Sequence, residues 1–253
     1  MKDISYDYTY EEGQIVKETE NWKHVHNPEM LLQYDSNYIQ FKSVPTIEGF
    51  TEAEAYLRSF HHQKGQEHLK FIFPENNELP KKLLEELVLK KDYEVGFTEL
   101  YAVNPSDFPV LSINPDIIIK EVTSDNLEDF LQLEYSQDLE YGKSFADGKV
   151  HMYKQNFTNS SFLQLLAYYK GRPAGALEVI IAEKTVEIDG IFVIEEFQRK
   201  GIAARLQKYV MEKFPEKVVI LLADGEDTPK EMYKKQNYVL KGFQYEALKE
   251  KME

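Results

Sequence analysis

Val186-Glu187-Ile188-Asp189-Gly190-Ile191-Phe192-Val193, followed by Gln198-Arg199-Lys200-Gly201-Ile202-Ala203-Ala204-Arg205-Leu206, carries the fold assignment of this chain. The first run is rich in β-branched residues and reads as a strand. The second opens a helix over 202–213 through one glycine, with Ile202, Leu206, Tyr209, Val210 and Phe214 on its apolar stripe. Backbone N–H groups at such a helix start, unobstructed by a side chain at Gly201, form a cradle for a phosphorylated ligand. Arg199 and Lys200 add charge that a diphosphate attracts. The spacing is neither a Walker A loop nor the dinucleotide fingerprint, because Gly201 stands alone.

The segments around this unit extend the pattern. Ile117–Val122 reads as a strand, Ser124 or Asp125 as the cap of a helix through Tyr135, and Phe145–Asn156 as a second helix. Phe162–Tyr169 and Ala174–Ala182 are strands joined by the hairpin signal Lys170-Gly171-Arg172-Pro173. Val218–Ala223 reads as a strand buried on both faces, followed by a helix over 228–236 and a strand from Gly242 to Leu248. A strand, a crossover helix and another buried strand require parallel pairing within a sheet otherwise made of hairpins.

Upstream, Asn104-Pro105 through Asn114-Pro115-Asp116 places three prolines in eleven residues and reads as a linker or an extended crossing strand. The expected organisation is an N-terminal α/β domain over 1–103, a linker over 104–116 and a second domain over 117–253. Leu69–Phe73 (strand), Pro80–Lys90 (helix), Tyr93–Phe97 (turn) and Thr98–Val103 (strand) repeat the order of Val218–Leu222, Pro229–Gln236, Tyr238–Phe243 and Gln244–Leu248. That echo is either a degenerate copy that has lost its phosphate loop or a chance likeness of two strand–helix–strand units.

Composition narrows the function classes. The 253 residues are 42% hydrophobic and 13% aromatic, which suits a packed globular protein. With no cysteine there is no disulfide, thiolate zinc site or cysteine nucleophile. The net charge is −14; residues 1–116 hold 11 Lys and Arg against 21 Asp and Glu, a net of −10, and the rest carries −4. So acidic a chain argues against nucleic acid as partner. The acidity accommodates cationic acceptors, and solubility alone also accounts for it. Met1–Asp7 lacks the apolar core of a signal peptide, and no run approaches the roughly 18 apolar residues of a membrane span, so a cytoplasmic protein is expected.

Gln198, Gly201 and Ala203 match the motif Q/R-x-x-G-x-G/A, and with the strands and helices around them the chain resembles the GCN5-related N-acetyltransferases (GNAT) from about Ile117 to Leu248. The resemblance implies an α/β (α+β) fold, a mixed, mostly antiparallel twisted sheet flanked by helices, preceded here by a smaller α/β domain. It also implies acetyl-CoA as co-substrate and direct transfer of acetyl to a primary amine, small-molecule or peptide, without a metal. Gln198, Arg199, Lys200, Gly201, Ile202 and Ala203 would cradle the diphosphate. Ile191, Phe192 and Val193 would offer main-chain contacts to pantetheine, the Val193 N–H polarising the acyl carbonyl. Glu187 lies eleven residues before Gln198, the spacing of the catalytic glutamate in histone-acetylating members. Strand alternation places Glu187, Asp189, Ile191 and Val193 on one face. The base is then Glu187, Asp189 or a relayed water, with a solvated acidic strand face as the non-catalytic alternative.

Tyr233, in Met232-Tyr233-Lys234-Lys235-Gln236-Asn237-Tyr238, matches the helix tyrosine that protonates the departing thiolate in the family. Asn237 replaces a glycine at the helix end, where asparagine also tolerates the left-handed conformation. Asp224-Gly225-Glu226-Asp227 stands where many members carry asparagine, which puts the CoA contacts there in doubt. His61, His62 and His68 read as surface histidines and His151 as structural, while Asp138 and Glu140 are placed to select a cationic acceptor. The rival expectation is a catalytically silent acyl-CoA-binding or regulatory protein acting through its N-terminal half. Oligomeric state stays open, with a homodimer through sheet edges as one outcome.

Overall fold

The structure is a computed structural model that describes residues 1, 3–226 and 230–252. In chain order the elements are β1 (Gln14–Glu18), β2 (Trp22–His26), β3 (Tyr38–Phe41), α1 (Ile47–Lys64), β4 (Leu69–Ile72), α2 (Lys81–Glu85, continued by a π turn Glu86–Lys90) and β5 (Glu94–Val103). They continue as β6 (Ile117–Glu121), α3 (Leu127–Asp138), α4 (Lys143–Thr158), β7 (Phe162–Tyr169), β8 (Arg172–Ile181), β9 (Thr185–Val193), α5 (Ile202–Lys213), β10 (Val218–Asp224), α6 (Lys230–Lys235) and β11 (Val239–Lys249). The chain folds as two compact units. The first comprises Met1–Tyr10, Leu100–Leu222 and Pro229–Lys241; the second comprises Glu11–Glu99, Ala223–Thr228 and Gly242–Glu253.

In the first unit β6, β7, β8 and β9 are successive antiparallel neighbours, and β10 pairs parallel to β9 after the α5 crossover. The sheet is thus the mixed, mostly antiparallel one expected. Lys170 and Gly171 turn the β7–β8 hairpin with φ of 50° and 80°, the positive pair a two-residue loop needs. Helices α3 and α4 bury Phe130, Leu131, Leu133 and Tyr153 with Leu166 of β7 and Ala176 of β8. α3 starts after Asn126, not after Ser124 or Asp125, because the Asn126 side chain takes the Thr123 N–H (2.6 Å) and tightens the preceding turn. The stripe of α5 buries Ile202, Leu206 and Val210 as its periodicity requires. β10 is not buried on both faces: Leu222 is 39% exposed.

Two-residue alternation fails in the middle of β9. Opposite β8, Asp189 pairs with Glu178 while Phe192 pairs with Ala176, so β9 holds one more residue than its partner across this interval. Gly190 supplies the positive φ (60°) of that bulge. Glu187 and Asp189 keep the face expected of them, but beyond the bulge Phe192 replaces Ile191 and Val193 on it, packing against the α3–α4 cluster. The extra residue reverses the pleat.

The second unit orders its strands β1-β2-β3-β4-β11, with β3 and β4 parallel through α1. Thr46 caps the start of α1 and Gly65, φ 75°, ends it. Its core is aromatic: Phe41, Phe50, Phe71, Phe73 and Tyr93 interlock with ring centroids between 4.7 and 6.5 Å. Buried Lys70 is paired with Asp35 and Glu246, which offsets the cost of desolvating its charge. Tyr93–Phe97 is not a turn, since β5 already begins at Glu94. Nor are the histidines at the surface. His61 and His68 are 0% and 2% exposed, and His24 and His26 are buried with them, leaving only His62 of the expected group in solvent.

The repeated order detected in the sequence corresponds to β4-α2-β5 and β10-α6-β11, and the elements before each, β3-α1 and β9-α5, follow the same order. Each unit draws its closing strand from the other half of the chain. Glu246 and Ala247 of β11 pair antiparallel with Ile72 and Phe71 of β4, while the Leu100–Val103 end of β5 adjoins β10. Among the described residues no helix is long and apolar enough to cross a membrane.

Candidate active site

The loop before α5 has the geometry that a phosphate cradle requires. After a 3-10 turn at Glu195–Phe197, Arg199 and Gly201 both adopt positive φ (61° and 87°), and α5 begins at Ile202 with no side chain capping it. Its first N–H groups therefore point outward, with the positive end of the helix dipole behind them. A Cβ built on Gly201 would meet nothing within 4 Å, so the glycine serves its backbone angle and an open space. One turn on, Nε of Arg205 is buried without a partner. An orphaned cationic donor beside a free helix start suits an anionic group. Lys200 is turned back to the Glu196 carbonyl (2.6 Å) and lies near the rings of Tyr169 and Phe197, while Arg199 stays exposed.

The strand ahead of the loop is splayed. The β9–β10 ladder runs from Thr185↔Val218 to Glu187↔Ile220 and stops, although β9 continues to Val193. Ile194 donates to the Ala174 carbonyl (2.9 Å), so the alternate residue Val193 turns its backbone polar groups away from β8, toward the open side. Its carbonyl accepts from Nε2 of Gln198 (3.1 Å), leaving the N–H for another acceptor. Phe192 is different. Its carbonyl lies against β8, 2.5 Å from where a Cβ on Gly175 would stand, so its main chain serves the sheet and not a ligand.

Glu187 is buried, 8% exposed, and its Oε2 accepts the backbone N–H of Tyr10 at 2.7 Å. Burial raises its pKa to about 8, and nearby Asp189 adds to this against the opposing Tyr10 bond. Asp189, exposed at the bulge, faces the same cluster. Three further carboxylates gather there. Glu134 and Asp138 stand one turn apart on α3, and Glu178 opposes Asp189 across the β8–β9 ladder. Burial lifts Glu134 to about 8 and Glu178 to about 7, and raises Asp138. Tyr153 donates to Glu134 (3.3 Å), while Asn156 and Gln164 each donate to Glu178 (2.8 Å).

Sequence reasoning named Glu187, Asp189 and Asp138 but missed Tyr10, Glu134, Tyr153, Gln164 and Glu178. Glu134 and Glu178 had a signal: each is a charge set in an otherwise apolar pattern, Glu134 four residues after Phe130 and Glu178 within Ala174–Ile181. Glu140 is exposed, and His151, also exposed, is hydrogen-bonded to Gln155 (3.1 Å).

Tyr233 lies on α6, 6% exposed, its ring 5.1 Å from Tyr101 and 5.6 Å from Tyr238. Burial raises its pKa, which keeps the hydroxyl protonated. These contacts put it in a cluster of three tyrosines. Asn237 ends α6 with φ 63°, the left-handed angle that a glycine would otherwise supply, and its side chain donates to the Asp107 carbonyl (2.7 Å). Within Asp224-Gly225-Glu226-Asp227, Gly225 donates to the Phe97 carbonyl (2.8 Å); Asp227 and the start of the expected 228–236 helix lie outside the described residues. Among the described residues no group of three His, Cys, Asp or Glu could hold a metal ion.

Comparison with known proteins bears on this geometry. The sequence model of the acetyltransferase (GNAT) family matches residues 125–238, and that of a domain of unknown function (DUF5613) matches residues 4–101. A functionally unknown conserved protein from Staphylococcus epidermidis ATCC 12228 is 33% identical and superimposes with a TM-score of 0.91, over 99% of this chain and 99% of that one. A GCN5-related N-acetyltransferase from Sphaerobacter thermophilus matches at 14% identity and TM-score 0.61, over 90% of this chain and 76% of that one. A tandem GNAT protein from the clavulanic acid biosynthesis pathway matches at 10% identity and TM-score 0.55, over 84% and 75%. The last two show similarity of fold alone. Comparison with curated proteins gives no match.

Proposed function

We propose that this chain, which belongs to the GNAT acetyltransferase family through residues 125–238, transfers acetyl from acetyl-CoA directly to a primary amine. The observation that carries the reading is the juxtaposition of the open α5 start at Gly201 with a β9 strand whose ladder to β10 ends at Glu187. Acetyl-CoA supplies the activated acyl thioester. Gly201, Ile202 and Ala203 hold its diphosphate by their N–H groups, with Arg205 adding charge, and the Val193 N–H polarises the carbonyl. Donors of that kind contribute about 2.7–4 kcal/mol where they have been measured.

An ammonium with a pKa near 10 must lose a proton before it attacks. Glu187, poised near pH 8 and held through one oxygen by Tyr10, accepts that proton on its other oxygen. The amine nitrogen bonds to the carbonyl carbon, the C–S bond breaks, and Tyr233 donates its hydroxyl proton to the thiolate. The second amine proton leaves when the amide forms and restores the tyrosine, while Glu187 returns the first to solvent. Amide, free thiol and one proton result, and no covalent enzyme intermediate is needed.

Thiol release from acetyl-CoA by the full chain, followed across a panel of primary amines, tests the reading. Amine-dependent release that is lost in Glu187→Gln supports it. Acetyl-CoA binding with no release on any amine would make the chain a silent binder.

A further inference from the structure

The carboxylate group over β8 and β9 contains acceptors that the protein leaves unused. Oδ2 of Asp138 and Oε1 of Gln164 are buried without any hydrogen-bond partner, in side chains 8% and 3% exposed. The Gln164 carboxamide is held in place, since its Nε2 donates to the Tyr153 carbonyl (2.9 Å) and to Glu178 (2.8 Å), so its oxygen cannot turn away to find a donor. Leaving a buried acceptor unpaired costs about 1–3 kcal/mol, and here two stand among Glu134, Glu178 and Asp189. Lys149, whose Nζ lies 4.9 Å from the Tyr153 ring centroid, is the cation these carboxylates feel, and it is outnumbered. An apolar lip borders the group: Leu139 and Tyr141, on the turn that leaves Asp138, are 45% and 68% exposed.

Unpartnered acceptors, excess negative charge and an apolar lip define a complementary ligand. It needs several N–H donors, positive charge and a hydrocarbon stem, which an alkylammonium combines in three donors on a carbon chain. A backbone amide or neutral sugar would meet the acceptors but not the charge. A guanidinium would need planar, paired acceptors, whereas the two free oxygens come from different elements, α3 and β7. We infer that the acceptor is an aliphatic diamine or polyamine: one amine is presented to Glu187, and the distal ammonium is held by Asp138, Glu134 and the Gln164 oxygen. This rests on the acetyl-transfer reading for what happens to the first amine, but the ammonium site itself does not depend on turnover.

Calorimetric titration of the full chain with 1,4-diaminobutane and with n-butylamine, at pH 7.5, separates the two. The diamine should bind at least about tenfold tighter, the worth of one charge-assisted hydrogen bond, and Asp138→Asn should erase the advantage. The same substitution removes a buried carboxylate that burial holds above its ordinary pKa and that has one unpaired oxygen, so its thermal midpoint should hold or rise; Glu134→Gln serves as a second variant should the first fail to fold. Equal binding of the two amines, no diamine binding, or diamine binding unchanged in both variants overturns the site. Diamine binding without thiol release from acetyl-CoA keeps the site and rejects transfer. Release from n-butylamine as fast as from the diamine keeps transfer and rejects the site.

Discussion

The backbone N–H of Tyr10 donates a 2.7 Å hydrogen bond to Oε2 of Glu187, across 177 residues of sequence. The N-terminal segment thereby holds the carboxylate proposed as the base. Because an N–H donor favours the charged form, the bond restrains a pKa that burial pushes upward. Tyr10→Pro deletes the donor. The acidic limb of kcat/KM should move to higher pH, and an unchanged limb would show that the bond does not tune the base.

The limb itself should lie near pH 8. Glu187 must be ionised to accept a proton, so activity rises as pH increases through that value. In Glu187→Gln the limb disappears and turnover falls about 10²- to 10⁴-fold. A profile from the variant that keeps the limb would transfer it to another group, Asp189 being the next candidate on that face.

Tyr233→Phe should lower turnover on the order of 10²-fold while leaving acetyl-CoA affinity nearly unchanged. The ring stays packed between Tyr101 and Tyr238, so stability changes little. Undiminished turnover would remove the acid role.

Acid should weaken the second unit through its histidines. Burial depresses His24 to about 3, and His61 and His68 to about 4, while their unfolded forms titrate near 6.5. Their stabilising contribution is complete above pH 6.5 and is lost as pH falls toward the folded values, because the unfolded chain then binds more protons. Each adds a slope of about 1.4 kcal/mol per pH unit inside that window. Glu134, Glu178 and Glu187, raised by burial, act oppositely between about pH 4.5 and 8. The diagnostic quantity is therefore the change in urea midpoint from pH 7 to 5 in the wild type against His24→Phe. The variant should lose less, and equal losses would contradict the assignment.

A fragment spanning 113–253 should not fold cooperatively. It lacks Leu100 and Ala102 of β5, which pack with Ile220 of β10 beneath Met1, Ile4, Tyr6 and Tyr8, and it lacks Tyr10. A sharp thermal transition in the fragment would refute this dependence.

What the sequence revealed and what it hid follow from the range of the interactions. The α5 boundaries were legible from a 3.6-residue stripe and one glycine, both local signals, and so was the left-handed Asn237. The β9 bulge was not, because Gly190 in a strand signals an irregularity without stating which side chains it redirects. The exchange of β5 and β11 was hidden for a different reason: alternation fixes which face a strand buries, not which neighbour it takes. Tyr10 on Glu187 is a backbone donor and leaves no residue-type trace. The buried histidines were misjudged because, in isolation, nothing told them from solvated ones; β2, α1 and β4 carry them inward together.

The most direct test of the central claim is calorimetric titration of the purified chain with acetyl-CoA beside Gly201→Glu. The φ of 87° and the open space at Gly201 mean that glutamate there strains the backbone and places an anion in the cradle. Micromolar binding to the wild type that is lost in the variant is the predicted result. Equal affinity in both, or no binding to the wild type, would contradict the assignment of this loop as the acetyl-CoA site.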